Sequence, residues 1–200
     1  MGKNFSLNTN KTRPKSDFYQ TPYSMTRHLL DREKFEGTIF EPCCGEGAIV
    51  KVLKERYKDI FENDISRGDD FLQLQDIKNC DNIITNPPYS LAKEFILKAK
   101  EVTSKKIAML LPLNYLHGIE RYREIWLDTD FPLKKVYVFC RYPMLSSEIR
   151  EDGKYKTGMM VYAWFIWDKE HKGSATIDWI DNNADVKTIS DFIKFLKQGA

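Results

Sequence analysis

Short apolar runs alternate with helix-forming segments along most of the chain, and this alternation restricts the fold more than any other feature. Thr38–Glu41, Ile60–Asp64, Asn82–Thr85 and Lys106–Leu111 have the length and composition of short strands. The segments between them place apolar residues at helical spacing, which predicts helices of about ten residues. Strands that alternate with helices predict an α/β domain, in which a parallel sheet carries helices on both faces.

The last two strand-like runs follow a different pattern. Lys135–Cys140 and Met159–Trp167 are separated by a polar loop, with no helix-forming segment between them. Two strands joined in this way predict an antiparallel hairpin. Gly68–Leu72 is expected to be a short strand or a turn, and Ser190–Lys197 is expected to be a final amphipathic helix.

Length and charge indicate one domain with a basic N-terminal arm. The chain has 200 residues and a net charge of +2, so its overall charge does not indicate nucleic acid. Residues 1–16 are polar and basic, lack acidic residues, and are expected to form a flexible arm that could follow phosphates. Residues 17–200 are expected to form a single domain.

Cysteine and histidine usage favours a cytoplasmic protein that holds no metal. The chain has four cysteines and three histidines, and adjacent Cys43 and Cys44 lack the spacing of a zinc site. Reduced thiols are typical of the cytoplasm. No apolar stretch reaches the roughly 18 residues that span a membrane, so no membrane association is expected.

The segment Asn86-Pro87-Pro88-Tyr89 directly follows an apolar strand and predicts an active-site loop. The two prolines fix their own φ angles and remove two backbone donors, which leaves carbonyl oxygens as acceptors. Such a loop suits a planar amine that is held between acceptors, with an aromatic ring on its flat face. The alternative is an ordinary turn, because Asn-Pro is a common start of a loop.

Three further segments carry candidate ligands for a nucleoside. The turn Glu41–Gly47 has small residues that let a ligand approach, but it lacks the glycine patterns of pyrophosphate-binding loops. Asp64 could accept both hydroxyls of a ribose, or it could be an exposed loop carboxylate. Asp70 could accept from an adenine amine beside Phe71, or the pair could form an ordinary turn next to a core aromatic.

These motifs together resemble those of S-adenosylmethionine-dependent amino-methyltransferases. Their order is Phe18–Pro22, Glu41–Gly47, Asp64, Gly68–Leu72 and Asn86–Tyr89. The chain is most similar to the small DNA adenine-N6 methyltransferases of phages and prophages, over about residues 17–168. The resemblance implies a Rossmann-like methyltransferase fold with a mostly parallel seven-stranded sheet, an antiparallel C-terminal hairpin strand and helices on both faces.

The resemblance also implies roles for individual residues. Those expected to contact S-adenosylmethionine, its cofactor, are Tyr19, Thr21, Pro22, Glu41, Pro42, Cys43, Gly45, Gly47, Asp64, Ile65, Asp70, Phe71 and Asn86. The catalytic loop is Asn86, Pro87, Pro88 and Tyr89, and the residues expected to hold the target base are Tyr89, Arg141 and Tyr142. Cys43 stands where such enzymes often carry alanine, so no role is expected for its thiol.

The implied reaction is methyl transfer to the exocyclic N6 amine of an adenine flipped out of double-stranded DNA. Asn-Pro-Pro-Tyr also occurs in enzymes that methylate RNA adenine, guanine amines or a protein glutamine amide, and these substrates remain alternatives. A catalytically silent, cofactor-binding partner subunit is a further alternative. No separate target-recognition domain is expected, so sequence specificity is low, built from loops, or supplied by a partner.

Overall fold

A computed structural model describes residues 20–75, 77, 80–140 and 160–182 of the chain. Seven strands form one sheet in the order β2-β1-β3-β4-β6-β5-β7. The strands are β1 (Ile39–Glu41), β2 (Ile60–Glu62), β3 (Asn82–Thr85), β4 (Lys106–Pro112), β5 (Leu133–Phe139), β6 (Tyr162–Asp168) and β7 (Thr176–Ile180). Strand β6 runs antiparallel to both of its neighbours, and all other pairings are parallel.

Helices cover the two faces of the sheet. They are α1 (Tyr23–Leu30), α2 (Ala48–Leu53), α3 (Ala92–Val102) and the short α4 (Ile119–Arg121), which continues as a π-helical segment, Tyr122–Trp126. Helices α1 and α2 pack on one face, and α3 packs on the other. This arrangement confirms the predicted fold class, and the antiparallel pairing of β5 with β6 confirms the predicted hairpin.

The alternation of side chains along the strands divides the core into two layers. Ile83 packs into the layer beneath α3, whereas the next residue, Ile84, packs into the layer beneath α1 and α2. Both faces of the central strands are therefore apolar, which explains why their sequences are continuous hydrophobic runs. The two layers hold the carboxyl ends of β1 and β3 side by side at one edge of the sheet.

The seventh strand differs from the expectation. Gly68–Leu72 contributes no strand; instead Phe71–Gln73 forms a turn of 3-10 helix that Asp70 caps by accepting from the Leu72 N–H. The seventh strand is β7, which pairs with β5 at the edge of the sheet. Four of its five residues are exposed, so its sequence lacks the buried apolar run by which the central strands are recognised.

Helix lengths also differ from the expected value of about ten residues. Helix α1 begins at Tyr23, after Pro22, and has eight residues. Helix α2 has six residues and ends at Leu53. The segment after β4 has only one turn of α-helix before it widens to π-helix. The predicted arm, residues 1–16, and the predicted final helix, Ser190–Lys197, lie outside the described residues.

All four cysteines lie within the described residues, and each is a free thiol. Across the described ranges, none of the helices is long and apolar enough to cross a membrane.

Replacement of Leu53 by alanine is expected to destabilise the fold strongly. Leu53 is 0% exposed at the end of α2, so its truncation leaves a cavity and should lower the free energy of unfolding by about 2–5 kcal/mol. Leu97→Ala is the matched control, because Leu97 lies on α3 with 39% exposure and should lose less than about 1 kcal/mol. Urea unfolding measures both changes, and equal losses would contradict the assignment of α2 to the core.

Candidate functional site

A cavity of about 350 Å³ opens at the carboxyl edge of the sheet, beside the ends of β1, β2 and β3. Its volume falls within the range of small-molecule sites. The residues that line it are Gln20, Thr21, Cys43, Cys44, Gly45, Glu46, Ala48, Ile49, Asp64, Ile65, Ser66, Asn86 and Pro88. In parallel sheets, ligands bind outside the carboxyl ends of the strands, and this cavity has that position.

The turn between β1 and α2 forms one wall of the cavity. Gly47 has a φ of +78° and precedes the first residue of α2, a backbone conformation that favours glycine. The Cys44 N–H donates to the Asn63 carbonyl oxygen across 2.8 Å, which fixes the turn to the segment that follows β2. The turn is therefore held against β2 by main-chain hydrogen bonding, whatever side chains it carries.

Asp64 supplies an ionised carboxylate to the cavity. Its two oxygens accept from the Gly45 N–H at 2.8 Å and from the Ser66 N–H at 2.9 Å. Burial alone raises the pKa of Asp64, but the hydrogen bonds from Ser66 and Gly45 outweigh burial and hold the pKa below its ordinary value. The carboxylate is therefore charged at neutral pH and can accept further hydrogen bonds from a ligand.

Ile65 presents an apolar side chain next to this carboxylate. It is 70% exposed and lines the cavity. An acceptor for hydroxyl groups beside an uncovered apolar side chain suits a nucleoside, whose ribose is polar and whose base is flat and largely apolar on its faces. The residues present therefore fit the nucleoside part of S-adenosylmethionine.

Two residues of the loop Asn86–Tyr89, Asn86 and Pro88, form the opposite wall. The Asn86 side-chain nitrogen donates to the Thr21 hydroxyl across 3.0 Å, which ties the start of the loop to the segment before α1. Pro87 is buried, and the Tyr89 ring lies 5.7 Å from the Tyr162 ring, centroid to centroid. The loop is thus held by one hydrogen bond from its first residue and by ring packing at its last.

Glu41 lies beneath the cavity at the end of β1 and is 0% exposed. Its Oε1 lies 2.5 Å from the Thr85 hydroxyl oxygen, with which it shares a hydrogen bond, and it accepts from the Cys43 N–H at 3.2 Å. Burial raises the pKa of Glu41 to about 8, although both hydrogen bonds act in the opposite direction. At neutral pH this carboxyl group is therefore protonated, in contrast to Asp64.

The structure brings seven of the predicted site residues to the cavity wall and leaves others away from it. Those that line the cavity are Thr21, Cys43, Gly45, Asp64, Ile65, Asn86 and Pro88. Those that do not are Pro22, Glu41, Pro42, Gly47, Asp70, Phe71, Pro87 and Tyr89. Phe71 is 2% exposed and its ring packs against Phe40 and Phe95, so its contact with a cofactor stays a prediction.

Sequence reasoning missed several residues of this site. Gln20, Cys44 and Glu46 line the cavity, and all three lie inside motifs that had been recognised without roles being given to them. Thr85 was assigned only to a strand, although its hydroxyl contacts both Glu41 and the Cys43 thiol. No sequence signal marks Thr85, because its contacts depend on the pairing of β1 with β3.

Three predicted contacts lie outside the described residues: Tyr19, Arg141 and Tyr142. Where the chain is described, it brings together no group of three His, Cys, Asp or Glu side chains that could hold a metal ion.

No protein-family model and no curated protein matches the chain. Among solved structures, it is similar to a modification subunit of a putative type I restriction enzyme from Vibrio vulnificus YJ016, with a TM-score of 0.55, 13% identity, and coverage of 90% of this chain and 53% of that one. It is also similar to a type I restriction-modification methyltransferase subunit from Streptococcus thermophilus, with a TM-score of 0.60, 13% identity, and coverage of 92% and 54%.

A third similar structure is a putative class I S-adenosylmethionine-dependent methyltransferase from Listeria monocytogenes, with a TM-score of 0.59, 12% identity, and coverage of 88% of this chain and 70% of that one. The chain has the Rossmann-like methyltransferase fold. It spans about half the length of the two restriction-modification subunits.

Replacement of Glu41 by glutamine is expected to change how stability depends on pH. Unfolded Glu41 loses its proton near pH 4.5, whereas folded Glu41 keeps it to about pH 8, so the folded state binds more protons between these values. Wild-type stability should therefore fall across this window relative to Glu41→Gln, by up to about 1.4 kcal/mol per pH unit.

Urea unfolding of both proteins at several pH values between 5 and 8 measures this difference. Glu36→Gln is the control for loss of a carboxyl group at an exposed position outside the site. A constant difference between wild type and Glu41→Gln would show that Glu41 is ionised in the folded protein.

Proposed function

We propose that this chain transfers a methyl group from S-adenosylmethionine to the exocyclic N6 amine of adenine in DNA. The observation that carries the proposal is the position of the Asn86–Tyr89 loop. It leaves the end of β3 and shares one cavity with Asp64 and the Gly45 turn. The wall that we propose binds the nucleoside and the loop that we propose binds the amine thus border a single space.

The loop suits an exocyclic amine because such a nitrogen is a poor nucleophile. Its lone pair is delocalised into the base, and acceptors placed at its two hydrogens favour a pyramidal nitrogen. The Asn86 side-chain oxygen and the Pro87 carbonyl oxygen are those acceptors, and they stabilise the positive charge that develops on the nitrogen during attack. Tyr89 adds an aromatic face for the target base. When bound, S-adenosylmethionine supplies the activated methyl group.

DNA is the substrate that the comparisons support best. Two of the similar structures are named as subunits of type I restriction or restriction-modification enzymes. Because the chain spans about half of their length, we also propose that a partner, or loops of this chain, supplies recognition of the target sequence. RNA adenine, guanine amines and protein glutamine amides present the same planar nitrogen and are the competing substrates.

Replacement of Asp64 by asparagine is expected to weaken binding of S-adenosylhomocysteine, the product form of the cofactor. The charged acceptor becomes a neutral amide, and loss of charge-assisted hydrogen bonds should raise the Kd by roughly 10- to 100-fold. Asp69→Asn is the matched control, since Asp69 is exposed and does not line the cavity. Isothermal titration calorimetry measures both, and an unchanged Kd for Asp64→Asn would remove the nucleoside site from this wall.

Replacement of Asn86 by alanine is expected to abolish methyl transfer while cofactor binding is largely retained. The assay follows labelled methyl from S-adenosylmethionine into unmodified DNA, with RNA and protein substrates in parallel. The loss should be at least about 100-fold in kcat, because an acceptor that acts in the transition state is removed.

Asn86→Asp is the matched variant for this experiment. It keeps the side-chain shape and an acceptor oxygen, and the Thr21 hydroxyl can donate to the new carboxylate, so it should retain more activity than Asn86→Ala. Label at adenine N6 of DNA that disappears in Asn86→Ala supports the proposal. Label only on RNA or protein would overturn the DNA assignment, and no label despite cofactor binding would favour a silent partner subunit.

A further inference from the structure

Four hydrogen-bonding groups form a line from the buried end of β1 to the active-site loop. Glu41 Oε1 and Thr85 Oγ1 are 2.5 Å apart, and Thr85 Oγ1 lies 2.9 Å from Cys43 Sγ. The same sulfur lies 3.8 Å from the Asn86 main-chain oxygen, to which it can donate. The line therefore starts at a carboxyl group and ends at the first peptide of the loop.

Two arrangements of the protons along this line differ in whether Glu41 Oε1 donates to Thr85 or accepts from it. With Glu41 protonated on Oε1, Glu41 donates to Thr85, Thr85 donates to Cys43, and the thiol donates to the Asn86 carbonyl oxygen. With Glu41 ionised, Thr85 donates to the carboxylate and the thiol donates to Thr85, because each of these side chains carries a single proton. In the second arrangement the Asn86 carbonyl oxygen loses the thiol as its donor.

The surroundings of Glu41 favour the first arrangement. Its Oε2 is buried and has no hydrogen-bond partner among the described residues, so an ionised group would leave one charged oxygen unsatisfied. The charged groups that face it are Asp64 and Glu62, both acids beside β1, and each disfavours a second negative charge. Burial also raises the pKa of the Cys43 thiol well above its ordinary value, so the thiol keeps its proton.

The line of hydrogen bonds ends at the Asn86 carbonyl oxygen, and the two prolines that follow make this oxygen important for anchoring the loop. Pro87 and Pro88 have no N–H, so the peptide groups that precede them can be tied to the scaffold only through their carbonyl oxygens. The Asn86 carbonyl oxygen is such an anchor, and the thiol of Cys43 reaches it from the turn after β1. The orientation of this peptide determines how the following residue, Pro87, presents its own carbonyl oxygen.

We propose that Thr85 and Cys43 are positioning residues, which hold the Asn86–Pro87 peptide through this line of hydrogen bonds and make its orientation depend on the proton of Glu41. The kinetic consequence rests on the proposed function, because it assumes that the loop binds the reacting amine. The Cys43 thiol, for which no role was expected from the sequence, thereby helps to position the Asn86–Pro87 peptide.

Thr85→Val and Cys43→Ala test the proposal kinetically. Thr85→Val replaces the hydroxyl by a methyl group of similar size, and Cys43→Ala removes the sulfur, so each removes one member of the line. In both variants kcat should fall by roughly 5- to 10-fold, with a smaller change in the KM for S-adenosylmethionine. Cys43→Ser keeps a donor and should recover most of the loss. Wild-type kcat should decline as pH rises through about 8, the pKa of Glu41, whereas the decline should be absent in Thr85→Val.

Cys80→Ala is the matched control for removal of a buried thiol. Cys80 is also buried, and its sulfur donates to the Asn82 carbonyl oxygen across 3.6 Å at the other end of β3. It should keep the wild-type kcat and pH profile. The proposal is overturned if Cys43→Ala and Thr85→Val behave like Cys80→Ala.

A second measurement does not need turnover. In wild-type protein, carbon-detected NMR should show the Asn86 carbonyl resonance moving with the titration of the Glu41 carboxyl carbon, and this movement should vanish in Thr85→Val. The Glu41 pKa should also rise in Thr85→Val, because the Thr85 hydrogen bond lowers it. If the Asn86 carbonyl resonance does not move as Glu41 titrates, the proposed line of hydrogen bonds is wrong. Failure of methyl transfer alone would contradict only the proposed function.

Discussion

The hydrogen bond between Thr85 and Glu41 is the contact on which the arrangement of the site depends. It joins the last residues of β3 and β1, two parallel neighbours whose carboxyl ends meet at one edge of the sheet. Cys43 lies two residues beyond one strand end and Asn86 one residue beyond the other, so this contact brings the turn after β1 against the Asn86–Tyr89 loop. A fully apolar pair at the two positions would pack the strands without linking the two loops.

Two carboxyl groups at one edge of the sheet differ in protonation: one is ionised and the other is protonated. Asp64 is partly open to the cavity and accepts from two backbone N–H groups, so it is ionised and can bind hydroxyl groups. Glu41 is enclosed and has one unsatisfied oxygen, so it is protonated and can donate. The environment of each carboxyl group, rather than its residue type, therefore determines which of the two is ionised.

Features that depend on residues close together in the sequence could be predicted, whereas features that depend on residues distant in the sequence could not. Strands β1, β3 and β4 were recognisable because their own residues are continuously apolar, and Asp64 and Asn86 because each stands directly after a strand. Strand β7 was missed because an exposed edge strand is defined by its partner, β5, rather than by its own pattern. The contacts of Thr85 and the burial of Phe71 were likewise set by tertiary packing, which local sequence does not record.

The burial of Glu41 is better explained by function than by stability. A carboxyl group with an unsatisfied oxygen, enclosed between strands and faced by two other acids, costs free energy that an apolar side chain of similar size would not. Departures of this kind from a fully satisfied interior are expected at functional sites. Here the unsatisfied carboxyl group lies beneath the Asn86–Tyr89 loop, whose two prolines have no N–H. The hydrogen bond from Cys43, which is linked to Glu41 through Thr85, anchors the Asn86–Pro87 peptide, which has no N–H of its own.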